Sequence, residues 1–497
     1  MVIAMHNPHL IFLPLLLLLA GGLQAKSPPN IVFLLADDLG YGDLGCYGHP
    51  YAKTPAIDQL AREGMMFRSA YVAGPTCEVS RCGFMTGLFP ARFAGSTRQL
   101  GFGASLTVTE VLKQKGYQTG LFGKWDMGEE ETQGTYGIEE IHVIPSELGD
   151  PKGKDFRVTE AAIDFIKRNR EGPFYMNVWF HTPHQPVAPH ATFVSRFENM
   201  SLDRSDFPNP HYQARLDAYE KLSEDPATVL REYLGDVSQL DDQVEKILST
   251  IRELGIEEET IVLFASDNGP ARPSERPRSR SDGKKNPNRQ NWLGSAGPLR
   301  GGKHGIYEGG IRVPWIVRWP GRIASGKIMD REVIAGVDLL PTLCSIAGVD
   351  IDTSGLDGED VSDIWFGKER SRRKDLFWIS GAPGSPRAAL RRCDWKLCMM
   401  QNGAQELYDL SKDPGESRNV AADHPGIVQE MGDAIDRWIG TLVSAPEWLI
   451  DAQRQVAASS KQVPVSPRFT WLVVAGALVG LFLGIGCWRL MRTPATR

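Results

Sequence analysis

Apolar residues in this chain fall into short unbroken runs separated by stretches with helical spacing. The first run of the body, Ile31-Val32-Phe33-Leu34-Leu35-Ala36, is closed by Asp37-Asp38. A run that is apolar at every position predicts a strand buried on both faces. Similar runs predict strands over 117–122, 174–180, 260–265 and 313–318. Between them, apolar positions three and four apart predict helices over 54–64, 106–115, 158–168, 230–254 and 337–347. The first of these has Thr54 as its cap, Pro55 at its first position, apolar Ile57, Leu60 and Ala61, and Gly64 beyond its end. Strands alternating with helices predict an α/β fold, a large mostly parallel sheet sandwiched by helices. After about residue 348 the runs shorten. Strands over 376–379, 388–390, 395–399 and 406–408, then a helix over 427–441, predict a smaller C-terminal antiparallel sheet with a helix. The expected division is an α/β domain over 26–347 and an α+β subdomain over 348–443.

The flanks add a compartment. Residues 10–19 are Leu-rich, interrupted by Pro14 and followed by Gly21-Gly22-Leu23-Gln24-Ala25. Their length suits a signal peptide over 1–25, with an uncleaved anchor as the alternative. Residues 469–488 carry no charge, and about 20 such residues span a bilayer. Arg489, Arg492 and Arg497 follow this stretch and only Arg468 directly precedes it. The expected parts are a linker over 444–467, a transmembrane helix over 468–490 and a tail over 491–497 that the positive-inside rule places in the cytoplasm, with a processed sorting tail as the alternative. The body is expected to be exported and tethered outside the cytoplasm. Gly476, Gly480 and Gly484 read either as a helix-pairing face for a dimer or as ordinary membrane filler. The net charge of −6 gives no reason to expect nucleic acid. Seven cysteines show no Cys-x-x-Cys spacing, so they announce no zinc site. Cys393 and Cys398 are expected on one strand, too far apart to form a disulfide. Residues 271–298, rich in Arg, Lys, Pro, Ser and Asn, read as a long mobile loop. That loop is either a solvated insertion or a cationic lip for an anionic substrate.

Chemistry collects at the predicted strand ends. Asp37 and Asp38 end one strand, Lys124 follows a second, Asp267 and Asn268 follow a third, and a fourth leads to His184. In an α/β sheet those ends share one rim. Three carboxylates and an amide oxygen make a hard site suited to Ca²⁺ or Mg²⁺ rather than Zn²⁺. Arg81, Lys124, His184 and Lys303 surround it with positive charge or donors, which suits a tetrahedral oxyanion. Cys77 and Arg81, four residues apart, open a predicted helix whose N-terminus favours an anion. By itself that pair reads equally as a buried small thiol beside an unrelated Arg. The joint occurrence at successive strand ends favours a site.

Here the chain resembles the formylglycine-dependent, arylsulfatase-like sulfatases of the alkaline phosphatase superfamily fold. The resemblance is carried by residues 30–48, 54–67 and 77–87, and by Gly123-Lys124-Trp125 and Pro183-His184-Gln185-Pro186. Residues 266–270, Leu299-Arg300-Gly301-Gly302-Lys303 and residues 307–314 extend it. Trp395-Lys396, residues 406–410, Asp413-Pro414-Gly415-Glu416 and Asn419 carry it into the small subdomain. The resemblance implies hydrolysis of a carbohydrate or aryl sulfate by the hydrate of a formylglycine made from Cys77. It implies Ca²⁺ held by Asp37, Asp38, Asp267, Asn268 and residue 77. It gives Arg81 the aldehyde hydrate to hold, and Lys124, His184 and Lys303 the sulfate oxygens. Lys303 or His184 would protonate the leaving oxygen. The implied partners are a sulfated small molecule or glycan and, transiently, a formylglycine-generating enzyme.

Two positions depart from the family pattern. Val79 stands where Cys-x-Pro-x-Arg has Pro, inside the segment the modifying enzyme reads. Asp126 stands where the family usually has a His that touches the formylglycine hydroxyl, and it adds negative charge near an anionic substrate. His304, beside Lys303, reads either as a substitute imidazole or as a surface loop residue. These departures leave two further readings. One is a phosphate or phosphonate ester hydrolase on the same fold, although a single oxygen-ligand site does not suit two-zinc chemistry. The other is a non-catalytic sulfoglycan-binding homologue with an unconverted Cys77.

Overall fold

The computed structural model describes residues 28–93, 96–128, 132–222, 224–273, 291–382 and 385–442. The expected signal peptide, linker, membrane helix with its glycines, cytoplasmic tail and residues 274–290 lie outside these. Among the described residues no helix is long and apolar enough to cross a membrane.

The strands are β1 (Asn30–Asp37), β2 (Met65–Phe67), β3 (Ala70–Tyr71), β4 (Gln118–Gly123), β5 (Glu140–Val143), β6 (Phe174–Pro183) and β7 (Thr260–Ser266). There follow β8 (Trp315–Arg318), β9 (Lys327–Met329), β10 (Ile334–Ala335), β11 (Leu376–Ile379), β12 (Ala388–Arg392), β13 (Trp395–Met399) and β14 (Gln405–Asp409). An eight-stranded sheet runs in the order β5-β4-β6-β1-β7-β8-β2-β9. Five neighbours, β5 to β7 in that order, are parallel, and β8 runs antiparallel to both β7 and β2. β3 and β10 form a separate two-stranded pair. The expected α/β architecture is therefore present, with one reversed strand in the large sheet.

β1 lies between β6 and β7 and every one of its residues is buried. Val32, Leu34 and Ala36 face one core, shared with helices Pro55–Glu63, Phe156–Asn169 and Pro226–Glu253. Phe33 faces the other way and meets Phe84 of helix Cys77–Thr86 edge-on at 5.1 Å between ring centroids. Burial on both faces explains why the run has no alternation.

Helix Pro55–Glu63 begins differently from its sequence signal. Thr54 makes no side-chain cap, and its hydroxyl donates instead to Asp58 at 3.0 Å. The free N–H groups of Ala56 and Ile57 donate to Asp241 at 3.1 and 2.8 Å. Asp241 comes from the middle of helix Pro226–Glu253, so a tertiary contact replaces the local cap.

The smaller sheet, β11-β12-β13-β14, is antiparallel throughout, and helix Pro425–Ile439 packs on β12 and β13. It is fastened through buried charge to the segment that follows Lys303. Lys396 of β13 lies 3.0 Å from Glu308 and 2.8 Å from Glu416, all three side chains being fully buried. Tyr71 of β3 donates to the other oxygen of Glu308 at 2.6 Å.

Two expectations need correction. Cys393 is not on a strand: it sits at φ +51 in the turn between β12 and β13, while Cys398 is on β13, and both are free thiols. The end of the expected mobile loop is ordered packing, with Asn291, Trp292, Leu293 and Ser295 buried. Ser295 N–H donates to buried Asp43 at 2.7 Å, which fastens this segment to the loop after β1.

Asp241→Ala leaves two helix N–H groups without acceptors. It is expected to destabilise the protein by about 1–2 kcal/mol, measured by chemical denaturation.

Candidate active site

Helix Cys77–Thr86 is aimed by the residues just before it. Thr76 is extended, and Ser80 Oγ donates to Gly74 O at 2.7 Å, which fixes the entry of the chain. Gly83 lets the helix lie against Ala73, because a Cβ there would come within 2.4 Å of the Ala73 methyl. The helix start thereby presents Cys77 to the C-terminal ends of β1, β4, β6 and β7.

Cys77 Sγ lies 3.1 Å from Asp37 Oδ1, 3.9 Å from Asp38 Oδ1 and 3.3 Å from Lys303 Nζ. Lys303 Nζ also donates to Asp38 Oδ1 at 2.5 Å, and Lys124 Nζ donates to Asp37 Oδ2 at 2.7 Å. Backbone bonds hold Lys303 in place: its N–H donates to Pro270 O and that of His304 to Pro75 O. Lys124 follows Gly123, whose φ of +107 and close approach to Trp179 O leave no room for a Cβ. Asp38 stands at φ +66, with its N–H on Asp267 Oδ1 at 3.1 Å. The other Asp267 oxygen accepts from Arg81 Nη2 at 2.8 Å. Arg81 is fully buried, its guanidinium 4.7 Å from the Trp179 ring centre, and its Nη1 donates to Lys124 O at 3.4 Å. His184 Nε2 is 3.8 Å from Asp38 Oδ2, while its Nδ1–H donates to Gln185 O at 2.7 Å.

The electrostatics follow from this packing. Burial alone would raise Asp37, but Lys124, His184, Lys303 and Arg81 hold it well below the ordinary carboxylate range. Asp38 is also lowered, with Lys303 and His184 outweighing its burial. Burial and the Asp37 charge push Asp267 up to about 6. Burial, with Asp267 and Asp37 nearby, pushes the Cys77 thiol well above its ordinary value. An unmodified Cys77 is therefore a neutral thiol at pH 7 and a weak nucleophile.

Ligand atoms of Asp37, Asp38, Cys77 and His184 lie within 4.8 Å of one another. Asn268 Nδ2 donates to Asp38 Oδ1 at 2.8 Å, which leaves its buried Oδ1 without a hydrogen-bond partner. A buried amide oxygen without a donor, on a side chain that touches Asp38, fits a hard divalent cation. Asp267, expected in the same set, has both oxygens engaged, by Arg81 and by the Asp38 N–H.

Other residues of the site give no sequence signal. Asn291 donates to Asp38 Oδ2 at 3.1 Å, from the stretch read as a mobile loop. Buried Lys154 donates through Nζ to the backbone carbonyls of His184 and Pro186. Asp155 accepts from the N–H groups of His181 and Thr182 and from the Thr182 hydroxyl. Asp236, 3.8 Å from Lys154, is pushed up to about 7 by burial. Together these residues fix the turn that carries His184. Arg98 pairs with Asp126 at 2.7 Å, so the Asp126 charge is not left unopposed. His304 is exposed at φ +69. The site opens into a cavity of about 1030 Å³, whose wall includes Arg98, Trp125, Arg272 and Trp292.

Residues 29–349 match the sulfatase family, and residues 302–438 match the C-terminal region of N-sulphoglucosamine sulphohydrolase. Arylsulfatase A of Homo sapiens is 32% identical over 85% of this chain and 89% of its own. An N-acetylgalactosamine-6-O-sulfatase of Bacteroides thetaiotaomicron is 26% identical over 83% of this chain and 93% of its own. The crystal structure of Ps i-CgsB in complex with k-i-k-neocarrahexaose superposes with a TM-score of 0.67 at 23% identity, over 89% of this chain and 99% of that one. The chain belongs to the sulfatase family and is an arylsulfatase-like hydrolase of sulfate esters. The family implies a metal ion and formylglycine, and a candidate metal site lies beside Cys77.

Lys154→Met removes the donor that holds the His184 carbonyl. Steady-state kinetics are expected to show kcat about 10–100-fold lower, with a folded protein by thermal melting.

Proposed function

We propose that the protein hydrolyses sulfate esters of a carbohydrate or aryl alcohol through a formylglycine made from Cys77, with Ca²⁺ at the strand ends. The observation that carries this reading is the placement of Cys77 Sγ, buried between Asp37 at 3.1 Å and Lys303 at 3.3 Å. Its raised thiol argues against direct attack by cysteine. Formylglycine, when present at position 77, supplies a geminal diol that permits both sulfate transfer and its later release. Ca²⁺, when bound, supplies positive charge beside residue 77 and the sulfate oxygens.

The chain's own groups do the rest. Asp37, Asp38 and the orphaned oxygen of Asn268 would hold the ion. Asp267 keeps Arg81 in place and receives the Asp38 N–H, so it sets the geometry of the ligand loop whether or not it touches the ion. Lys124 and Lys303 offer ammonium groups to the sulfate oxygens. His184, with its Nδ1–H committed to Gln185 O, presents Nε2 to the pocket. It or Lys303 is the proton donor to the leaving oxygen. Arg81 restrains residue 77 through the helix they share. A carbohydrate substrate is supported by the broad cavity with Trp125 and Trp292 in its wall. The apolar stretch over 469–488 with Arg489 and Arg492 supports tethering outside the cytoplasm.

The test is co-expression with a formylglycine-generating enzyme. Mass spectrometry of the peptide holding residue 77 and sulfate release from an aryl sulfate are then measured. The reading predicts an aldehyde at 77 and turnover that Cys77→Ala abolishes. An unmodified thiol with no sulfate release contradicts it, and salt-sensitive binding of a sulfated polymer in that case identifies a non-catalytic homologue. Faster release from the matched aryl phosphate than from the aryl sulfate favours phosphoryl chemistry.

A further inference from the structure

A carboxylate in the wall of an anion pocket opposes the ligand. Asp126 is such a group: its side chain is 7% exposed and it lines the cavity two residues beyond Lys124. Its Oδ2 lies 3.0 Å from Lys124 Nζ, the same ammonium that Asp37 engages at 2.7 Å. With those contacts alone, one lysine would answer two carboxylates and keep little positive charge for a sulfate oxygen.

A second cation resolves this. Arg98 Nη2 lies 2.7 Å from Asp126 Oδ1, with its side chain 63% exposed at the mouth of the cavity. Charges then alternate along Arg98, Asp126, Lys124 and Asp37, and the last carboxylate ends 3.1 Å from Cys77 Sγ. The position of Arg98 is set from the other side of the nucleophile. Glu78, directly after Cys77, accepts from Ser96 Oγ at 2.6 Å and from the Arg98 N–H at 3.3 Å. The arginine is thus tied to the helix that carries residue 77 and, through Asp126, to the strand end that carries Lys124.

We propose that Arg98 is the charge-compensating residue of the anion pocket. It neutralises Asp126 and so leaves the Lys124 ammonium available to the sulfate group. This rests on the reading of the pocket as a sulfate ester site. Arg98 is a positioning residue: it acts through Asp126 and Lys124, and its loss weakens anion binding more than the chemical step. Its exposure lets salt screen the pair, so its loss makes anion binding less sensitive to ionic strength.

The experiment compares wild type, Arg98→Ala, Arg98→Lys, Asp126→Asn and the double variant Arg98→Ala/Asp126→Asn. Each is assayed on an anionic aryl sulfate and for inhibition by inorganic sulfate. Asn keeps an oxygen for Lys124 and removes the charge. Arg98→Ala is expected to raise KM and the sulfate inhibition constant about tenfold, with kcat changed less than about twofold. Arg98→Lys is expected to recover most of that loss. In the Asp126→Asn background the Arg98→Ala change is expected to raise KM less than about twofold, because no charge is left to compensate. An equal rise in both backgrounds overturns the proposal and makes Arg98 a direct substrate contact. No rise in the wild-type background also overturns it. A wild-type protein that neither turns over the ester nor binds sulfate overturns the reading of the pocket, and this inference with it.

Discussion

Asp37, Asp38 and Asp267 are held almost out of water at the ends of two neighbouring strands, and carboxylates so placed do not stay ionised without nearby cations. Arg81, Lys124 and Lys303 close on them at 2.5–2.8 Å. Three negative charges meet three positive ones, so the inner frame is neutral before an ion or a substrate enters. The rest of the site is arranged to keep that balance. Lys303 is suspended between the loop before Cys77 and the loop after β7, and Gly123 turns Lys124 onto Asp37. Opposed charges at such distances explain why Asp37 and Asp38 remain carboxylates, whereas burial, with Asp267 and Asp37 nearby, keeps the Cys77 thiol protonated.

The fold supplies this frame in layers. Parallel strands bring ends that are distant in sequence to one rim. Behind the rim, Asp155 and Lys154 hold the turn with His184, and Asp43 holds the segment with Asn291 through Ser295. The smaller sheet contributes from further back. Glu308 lies five residues after Lys303 and is gripped by Lys396, Tyr71 and, through its N–H, Glu416. The glycine-rich segment that delivers Lys303 is therefore fastened to the subdomain at its far end. Gly269, after Asn268, packs so closely on Gly309 that a Cβ would come within 1.8 Å of its carbonyl oxygen. The metal-ligand loop and the lysine loop are thus in direct contact.

Much of this was legible in the chain because it depends on local pattern. The unbroken run in β1, the acidic pair that ends it, and Gly-Lys after β4 need only the rule that parallel strand ends converge. The strands over 376–379 and 395–399 coincide with β11 and β13. What escaped depends on tertiary packing. Asp241 caps a helix far away in sequence, so Thr54 looked like the cap. Asn291 ends a polar stretch without periodicity, and only Asp43 and the core around Trp292 make it part of the site. Arg98 and Lys154 are unremarkable cations until their partners are placed. Cys393 looked like a strand residue because the turn between β12 and β13 uses a left-handed cysteine where Gly or Asn is usual.

The proposed chemistry requires the acidic strand ends to hold one divalent cation beside residue 77. Calorimetric titration of chelator-stripped protein with Ca²⁺ tests it directly, in wild type and in Asn268→Ala. One ion per chain is expected, bound about 10-fold or more weakly once the Asn268 oxygen is removed. Wild-type protein that binds no Ca²⁺, or an Asn268→Ala variant that binds it equally well, would contradict it.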